Sequence, residues 1–81
     1  MKVRVQMFAV ARQLSGQEVV ELELAPNAVV RDLRAALAAK VPALGQLMPH
    51  LMFAINADYA GDDTAVCAGV DIACIPPVSG G

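Results

Sequence analysis

One amphipathic segment, lying between a turn at Pro26 and a second proline at Pro42, constrains the fold more than any other feature of the chain. Its apolar residues recur at the spacing of one face of an α-helix. They are Val30, Leu33, Ala36, Leu37 and Val41. The pattern predicts one main helix over residues 29–40, which Pro42 ends. A helix with a single apolar stripe has to bury it against another layer of structure.

The ends of this helix are only partly signalled by the sequence. Asp32 in the first turn and Lys40 in the last turn have the charges that favour a helix dipole. Val29, at the expected N-cap, has no side-chain oxygen to accept a hydrogen bond. Asn27 is the alternative cap if the helix begins earlier.

Two stretches before the helix, residues 2–8 and 18–24, alternate between apolar and polar residues. Such alternation predicts half-buried strands. Because a short connection joins them, we expect an antiparallel pair. The polar faces would then bring opposite charges across the pair, namely Glu21 and Glu23 opposite Lys2 and Arg4.

Further strands are predicted after the helix, at residues 51–57, at an edge strand of Tyr59 and Ala60, and at residues 71–75. Residues 51–57 are apolar on both faces, so that strand is either covered on both sides or exposed to a partner on one. Short helical turns are predicted at residues 10–15 and 44–48. This order favours a sheet whose first and last strands are parallel neighbours, since the helix supplies the crossover. We therefore predict an α+β fold, a β-grasp mixed sheet packed against one main helix.

The size and charge of the chain limit the classes of function. Its 81 residues allow one small domain, and a hydrophobic content of 57% argues against disorder. A net charge of -2 without a basic cluster makes nucleic acid an unexpected partner. The N-terminal residues lead directly into a strand pattern, so we expect neither a signal peptide nor a membrane span, and a cytoplasmic location.

Few residues offer chemistry of their own. Cys67 and Cys74 lack metal-ligand spacing, and the one histidine, His50, is far from both in sequence, so no metal site is expected. Cys74 is interpreted as a small buried hydrophobe and Cys67 as an exposed thiol, ahead of a persulfide carrier, because no motif lowers the pKa of either thiol. Asp62 and Asp63, in a turn after Gly61, are interpreted as solvated. We expect no catalytic arrangement of side chains in this chain.

The last six residues, from Pro76 to Gly81, are predicted to form an extended tail beyond a domain of residues 1–75. Pro76 and Pro77 cannot continue a strand inside a sheet. The residues that follow are Val78, Ser79, Gly80 and Gly81. Two glycines present no side chains to a narrow channel. The alternative is a frayed, inert end, as most chain ends are.

Several segments of the chain resemble the small subunit of molybdopterin synthase, a family of ubiquitin-like sulfur carriers. The most specific segment is the ending Pro-Pro-Val-Ser-Gly-Gly. The others are Phe8-Ala9, Arg12 to Gly16, Val30 to Ala39, Ala54-Ile55-Asn56 and Gly69 to Ala73. The chain departs from the family at Gly69-Val70-Asp71, where Gly-Asp-Glu is common, and at Cys74-Ile75, where bulky aromatic residues are frequent.

The resemblance implies a function in which Gly81 is the reactive residue. A separate activating enzyme would use ATP to adenylate the Gly81 carboxylate, and a sulfide equivalent would then displace AMP to give a thiocarboxylate. The tail, Pro76 to Gly80, would enter the large subunit of molybdopterin synthase, where the sulfur passes to cyclic pyranopterin monophosphate. No cofactor would be bound by the chain itself, and the assembly would be a heterotetramer. Ser79 would be a small tail residue and not a nucleophile.

A docking surface is expected at the root of the tail. If Ile72 and Cys74 pack under the helix, Ile75 lies on the opposite face of the sheet, beside Phe8 of the first strand. Tyr59 is a weaker candidate for the same surface. Three alternatives remain open: a carrier for thiamine or transfer-RNA thiolation, a ubiquitin-like modifier conjugated to lysine, and a binding module with an inert tail.

Overall fold

The computed structural model describes residues 1–77. In this part of the chain, five strands form one mixed sheet, and a long helix packs on one of its faces. The elements in chain order are β1 (Lys2–Met7), α1 (Ala9–Ser15), β2 (Val19–Glu23), α2 (Val30–Lys40), β3 (Met52–Ile55), β4 (Asp58–Ala60) and β5 (Ile72–Ile75). Short 3-10 turns at Pro42–Leu44 and Met48–His50 connect α2 to β3. No helix in residues 1–77 is long and apolar enough to cross a membrane.

The strand order in the sheet is β2-β1-β5-β3-β4. β1 pairs with β2 antiparallel and with β5 parallel, so the first and last strands are central neighbours as predicted. The register also matches the expected charge pairs, because Lys2 lies opposite Glu23 and Arg4 opposite Glu21. The predicted β-grasp arrangement is confirmed.

The core lies between α2 and the inner face of the sheet. Leu33 and Leu37 of α2 are fully buried against it. The inner face supplies Val3, Val5, Val20, Leu22, Phe53, Ile72 and Cys74, all of which are buried. A fully buried side chain of this size contributes about 1.5–3 kcal/mol of transfer free energy. The inward positions of β1 and β5 match the predicted alternation, and Cys74 is buried as predicted.

The N-terminus of α2 is stabilised by a loop and by Asp32, whose Oδ2 accepts from Val29 N–H at 2.9 Å, because Val29 itself has no side-chain oxygen. The helix begins at Val30 with Val29 as N-cap, too late for Asn27 to cap it. The carbonyl of Thr64 accepts from Val30 N–H at 3.0 Å, and the carbonyl of Asp62 accepts from Arg31 N–H at 2.9 Å. These long-range bonds satisfy helix donors that a hydroxyl residue would otherwise take.

Two local predictions were wrong in their boundaries. The strand predicted over residues 51–57 is β3, which ends at Ile55, because Asn56 and Ala57 adopt positive φ values of 50° and 73° in the turn to β4. The helical turn predicted over residues 44–48 is replaced by the two 3-10 turns. Each of these begins at or beside a proline, which suits the first position of a helical turn.

Candidate functional site

The outward face of the sheet, opposite α2, carries an apolar surface at the end where β5 stops. Phe8 follows the last residue of β1 in extended conformation and is 44% exposed. The β1 and β5 register pairs Met7 with Cys74, so the next positions, Phe8 and Ile75, are neighbours. The structure therefore brings the two predicted docking residues together.

Other residues extend this surface across β3 and β4. Met52 pairs with Ile75 and is 49% exposed. Tyr59, 68% exposed, lies on the same face of the edge strand β4, two strands away from Ile75, because it pairs with Ala54. We use the term docking surface for the six residues Phe8, Met52, Ala54, Tyr59, Ala73 and Ile75.

The middle of the docking surface is concave. Ala54 and Ala73 pair with each other across β3 and β5, and both side chains are small. They line a shallow groove of about 520 Å³ together with Gln6, Asn56, Ala57, Asp71 and Ile72. Large exposed residues around small central ones form a surface that protruding side chains of a partner can fill.

Sequence reasoning missed Met52 as part of this surface. A partial signal was present, because apolar residues on both faces of this segment indicated either cover on both sides or exposure to a partner on one. What the pattern lacked was the pairing of β3 with β5, which a local sequence window does not contain.

The beginning of the predicted tail is only partly within the described residues. Pro76 is buried and Pro77 is exposed, so Pro77 is the first exposed position of the predicted tail in this part of the chain. Val78, Ser79, Gly80 and Gly81 lie outside the described residues. The predicted roles of these four residues stay predictions.

The turn carboxylates are exposed, in agreement with their interpretation as solvated groups, and each is also paired with an arginine of α2. Asp62 Oδ1 accepts from Arg34 Nη2 at 3.0 Å, and Asp63 Oδ1 accepts from Arg31 Nη2 at 2.8 Å. Within residues 1–77, no group of three or more histidine, cysteine or acidic residues could hold a metal ion. The turn therefore fastens the helix to the loop before β5.

The two cysteines differ in environment, as predicted. Cys67 is exposed and Cys74 is buried. Burial raises the pKa of the Cys74 thiol from 9.0 to about 11, and the positive charge of Arg34 offsets part of the rise. The folded state favours the protonated form of this thiol. The resulting contribution of Cys74 to the free energy of unfolding is therefore complete below pH 9 and is lost as the pH rises through about 11.

We expect iodoacetamide at neutral pH to alkylate Cys67 in the folded chain and to leave Cys74 unmodified, since the thiolate is the reacting form. Peptide mass spectrometry before and after unfolding in urea gives the site of modification. Urea should expose Cys74 to the reagent. Alkylation of Cys74 at the rate of Cys67 in the folded chain would contradict the buried assignment.

Comparisons with known proteins agree with the fold. A molybdopterin synthase sulfur carrier subunit of Chlamydomonas reinhardtii is 37% identical over 83 residues, covering 100% of both chains. The crystal structure of SAMP1, a small archaeal modifier protein from Haloferax volcanii, has a TM-score of 0.88 at 28% identity and covers 100% of both chains.

A third comparison shows the fold alone. A chain in the complex of subunits 1 and 2 of the molybdopterin-converting factor from Helicobacter pylori has a TM-score of 0.68 at 24% identity, again over 100% of both chains. The resemblance predicted from the residues is confirmed by the curated relative. The model of the ThiS family matches residues 5–81. The chain therefore belongs to the ThiS family, with a ubiquitin-like β-grasp fold.

Proposed function

We propose that the chain is a sulfur carrier of molybdopterin synthase whose reactive group is the carboxylate of Gly81. A carboxylate oxygen attacks the α-phosphorus of ATP on a separate activating enzyme, which forms the glycyl adenylate and releases pyrophosphate. A sulfide equivalent attacks the carbonyl carbon, and AMP leaves. The sulfur of the resulting thiocarboxylate bonds to cyclic pyranopterin monophosphate in the large subunit. Water then cleaves the bond between the acyl carbon and the sulfur, which leaves the sulfur on the pterin and regenerates the Gly81 carboxylate.

The observation that carries this proposal is the position of β5. This strand lies in the centre of the sheet, its outward residues belong to the docking surface, and it leads directly to the exposed Pro77. A fully extended segment of four residues spans at most about 14 Å. A partner that covers the docking surface is therefore close enough to receive the end of the chain in a pocket.

The residues themselves support a carrier that is not catalytic alone. The buried Cys74 is protonated at neutral pH, which argues against a persulfide there. The activating enzyme and the large subunit then supply the chemistry and the pockets. By resemblance, the assembly is a cytoplasmic heterotetramer of two small and two large subunits.

Transfer is tested by mixing the thiocarboxylated chain with the large subunit and cyclic pyranopterin monophosphate. We expect the chain to return to the carboxylate mass while the pterin gains sulfur. A chain that keeps its sulfur with this acceptor, but loses it to a thiazole or transfer-RNA thiolation system, would assign it to another carrier pathway.

Conjugation to proteins is the second candidate, favoured by the likeness to SAMP1. Gly81 would then form an isopeptide bond with a target lysine. Incubation with a cell extract and ATP should give a ladder of higher-mass species carrying the chain. A ladder without any thiocarboxylate would favour the modifier.

A charged side chain introduced into the docking surface should weaken binding to the large subunit without preventing folding. We expect Phe8→Glu to weaken binding to the large subunit by at least about tenfold, because burying an unpaired carboxylate is unfavourable. Leu14→Glu is the matched control, since Leu14 on α1 is 45% exposed and lies outside the docking surface. Calorimetry gives the affinity, and equal losses in both variants would contradict the assignment of the surface.

A further inference from the structure

Arg34 of α2 is 22% exposed, and its two terminal nitrogens make three hydrogen bonds, whereas its buried Nε has no partner within residues 1–77. Its Nη1 donates to the carbonyl of Met48 at 2.7 Å and to the carbonyl of Leu51 at 2.7 Å. Its Nη2 donates to Asp62 Oδ1 at 3.0 Å. The guanidinium carbon also lies 5.1 Å from the centroid of the Phe53 ring.

These contacts involve both chain neighbours of Met52, a residue of the docking surface, and they are made from the opposite side of the sheet. Leu51 supplies the carbonyl of the peptide bond that precedes Met52, and Phe53 follows it. Phe53 points into the core and is fully buried, whereas Met52 points outward and pairs with Ile75. Arg34 therefore contacts the backbone just before Met52, at the Leu51 carbonyl, and the side-chain ring just after it, at Phe53, from the inner side of the sheet.

A guanidinium group suits this position because its donors form a rigid planar fork. One nitrogen reaches two carbonyls near the start of β3, and the other reaches a carboxylate in the loop before β5. A lysine has a single ammonium on a flexible stem and cannot satisfy all three acceptors with the same geometry. The Asp62 contact fixes the guanidinium at its far side, so the peptide bond before Met52 is held relative to α2 and to the loop that contains Asp62.

We propose that Arg34 is a positioning residue for partner docking, which acts by fixing the peptide bond between Leu51 and Met52 and so the place of the Met52 side chain on the docking surface. The inference rests on the proposed function, because it requires the outward face to bind a partner. In this role Arg34 acts through Met52, from the inner side of the sheet, and not by contact with the partner.

A double-mutant cycle between Arg34→Lys and Met52→Ala separates positioning from a general structural role. The affinity of each folded chain for the large subunit is measured by calorimetry, at a temperature well below its unfolding transition. We expect Met52→Ala to weaken binding about tenfold and Arg34→Lys to weaken it several-fold. In the Met52→Ala background, the effect of Arg34→Lys should disappear.

Two further variants serve as a substitute for Arg34→Lys and as a control. Asp62→Asn leaves Arg34 in place and removes only the charge that fixes its far side, so it serves if Arg34→Lys does not fold. We expect a smaller loss of affinity, again absent in the Met52→Ala background. Arg31→Lys is the control, because Arg31 pairs with the exposed Asp63 and is 63% exposed, and it should leave affinity unchanged in either background.

The outcomes distinguish this inference from the proposed function. If Arg34→Lys weakens binding by the same factor in the wild-type and Met52→Ala backgrounds, Arg34 does not act through Met52. The inference then fails, and the proposed function is unaffected. If Met52→Ala has no effect on a chain that otherwise binds, the inference also fails. If the wild-type chain does not bind the large subunit, the proposed function fails, and the docking role of Arg34 fails with it.

Discussion

A chain lengthened by one alanine after Gly81 is expected to fold normally and to transfer no sulfur. The addition moves the carboxylate by the length of one residue, about 3.3–3.6 Å when extended. A misplacement of about 1 Å at a reacting group can cost about 100-fold in rate, so a shift of this size removes measurable transfer. The added residue lies beyond the exposed Pro77, and its effect on stability should stay within about 0.5 kcal/mol.

Ser79→Ala is the matched control for this extension, because it alters the tail and preserves its length. We expect it to keep sulfur transfer, since Ser79 is interpreted as a small tail residue. Transfer is measured as the sulfur gained by the pterin, and stability as the midpoint of urea unfolding. Sulfur transfer by the extended chain would overturn the mechanism, and its loss in Ser79→Ala would make the hydroxyl a participant.

Phe53→Ala is expected to destabilise the fold by about 3–5 kcal/mol, the usual cost of truncating a buried phenylalanine. Phe53 is fully buried, pairs with Cys74 and Ala60, and lies under the guanidinium of Arg34. A domain of this size has a stability of about 4–12 kcal/mol at the usual value per residue. The substitution therefore removes a large share of it.

The adjacent residue provides the control, because Met52 lies on the same strand and faces the other way. Met52→Ala should change the free energy of unfolding by less than about 1 kcal/mol while weakening partner binding. Urea unfolding followed by circular dichroism measures both variants. A small loss for Phe53→Ala, or equal losses for both, would show that β3 does not divide its residues between core and docking surface as described.

The pairing of β1 with β2 and β5 could be predicted because these strands bury one face only. Strict alternation leaves one register that keeps Val3 and Val5 inside, and a shift of one residue would expose both. The same alternation predicted that Ile75 and Phe8 lie on the outward face, and the register of β1 and β5 makes them neighbours there. The periodicity of α2 likewise predicted its buried residues Leu33 and Leu37.

The contacts that join distant segments could not be predicted in this way. In the sequence, Arg34 is indistinguishable from other polar residues of an amphipathic helix. The groups that accept its hydrogen bonds lie 14, 17 and 28 residues further along the chain. The pairing of Asp62 with this residue was missed for the same reason. The end of β3 depends on a turn at Asn56 and Ala57 in which two non-glycine residues take positive φ, and no glycine signals it.

The most direct test is the intact mass of the chain after incubation with its activating enzyme, ATP and a sulfur source, with fragmentation of the C-terminal peptide. The account predicts a gain equal to the replacement of one oxygen by one sulfur, located at Gly81 and dependent on ATP. A known sulfur carrier in a parallel reaction shows that the reagents are competent. An unchanged mass in that setting, or a sulfur located on Cys67 instead of Gly81, would contradict the carrier mechanism.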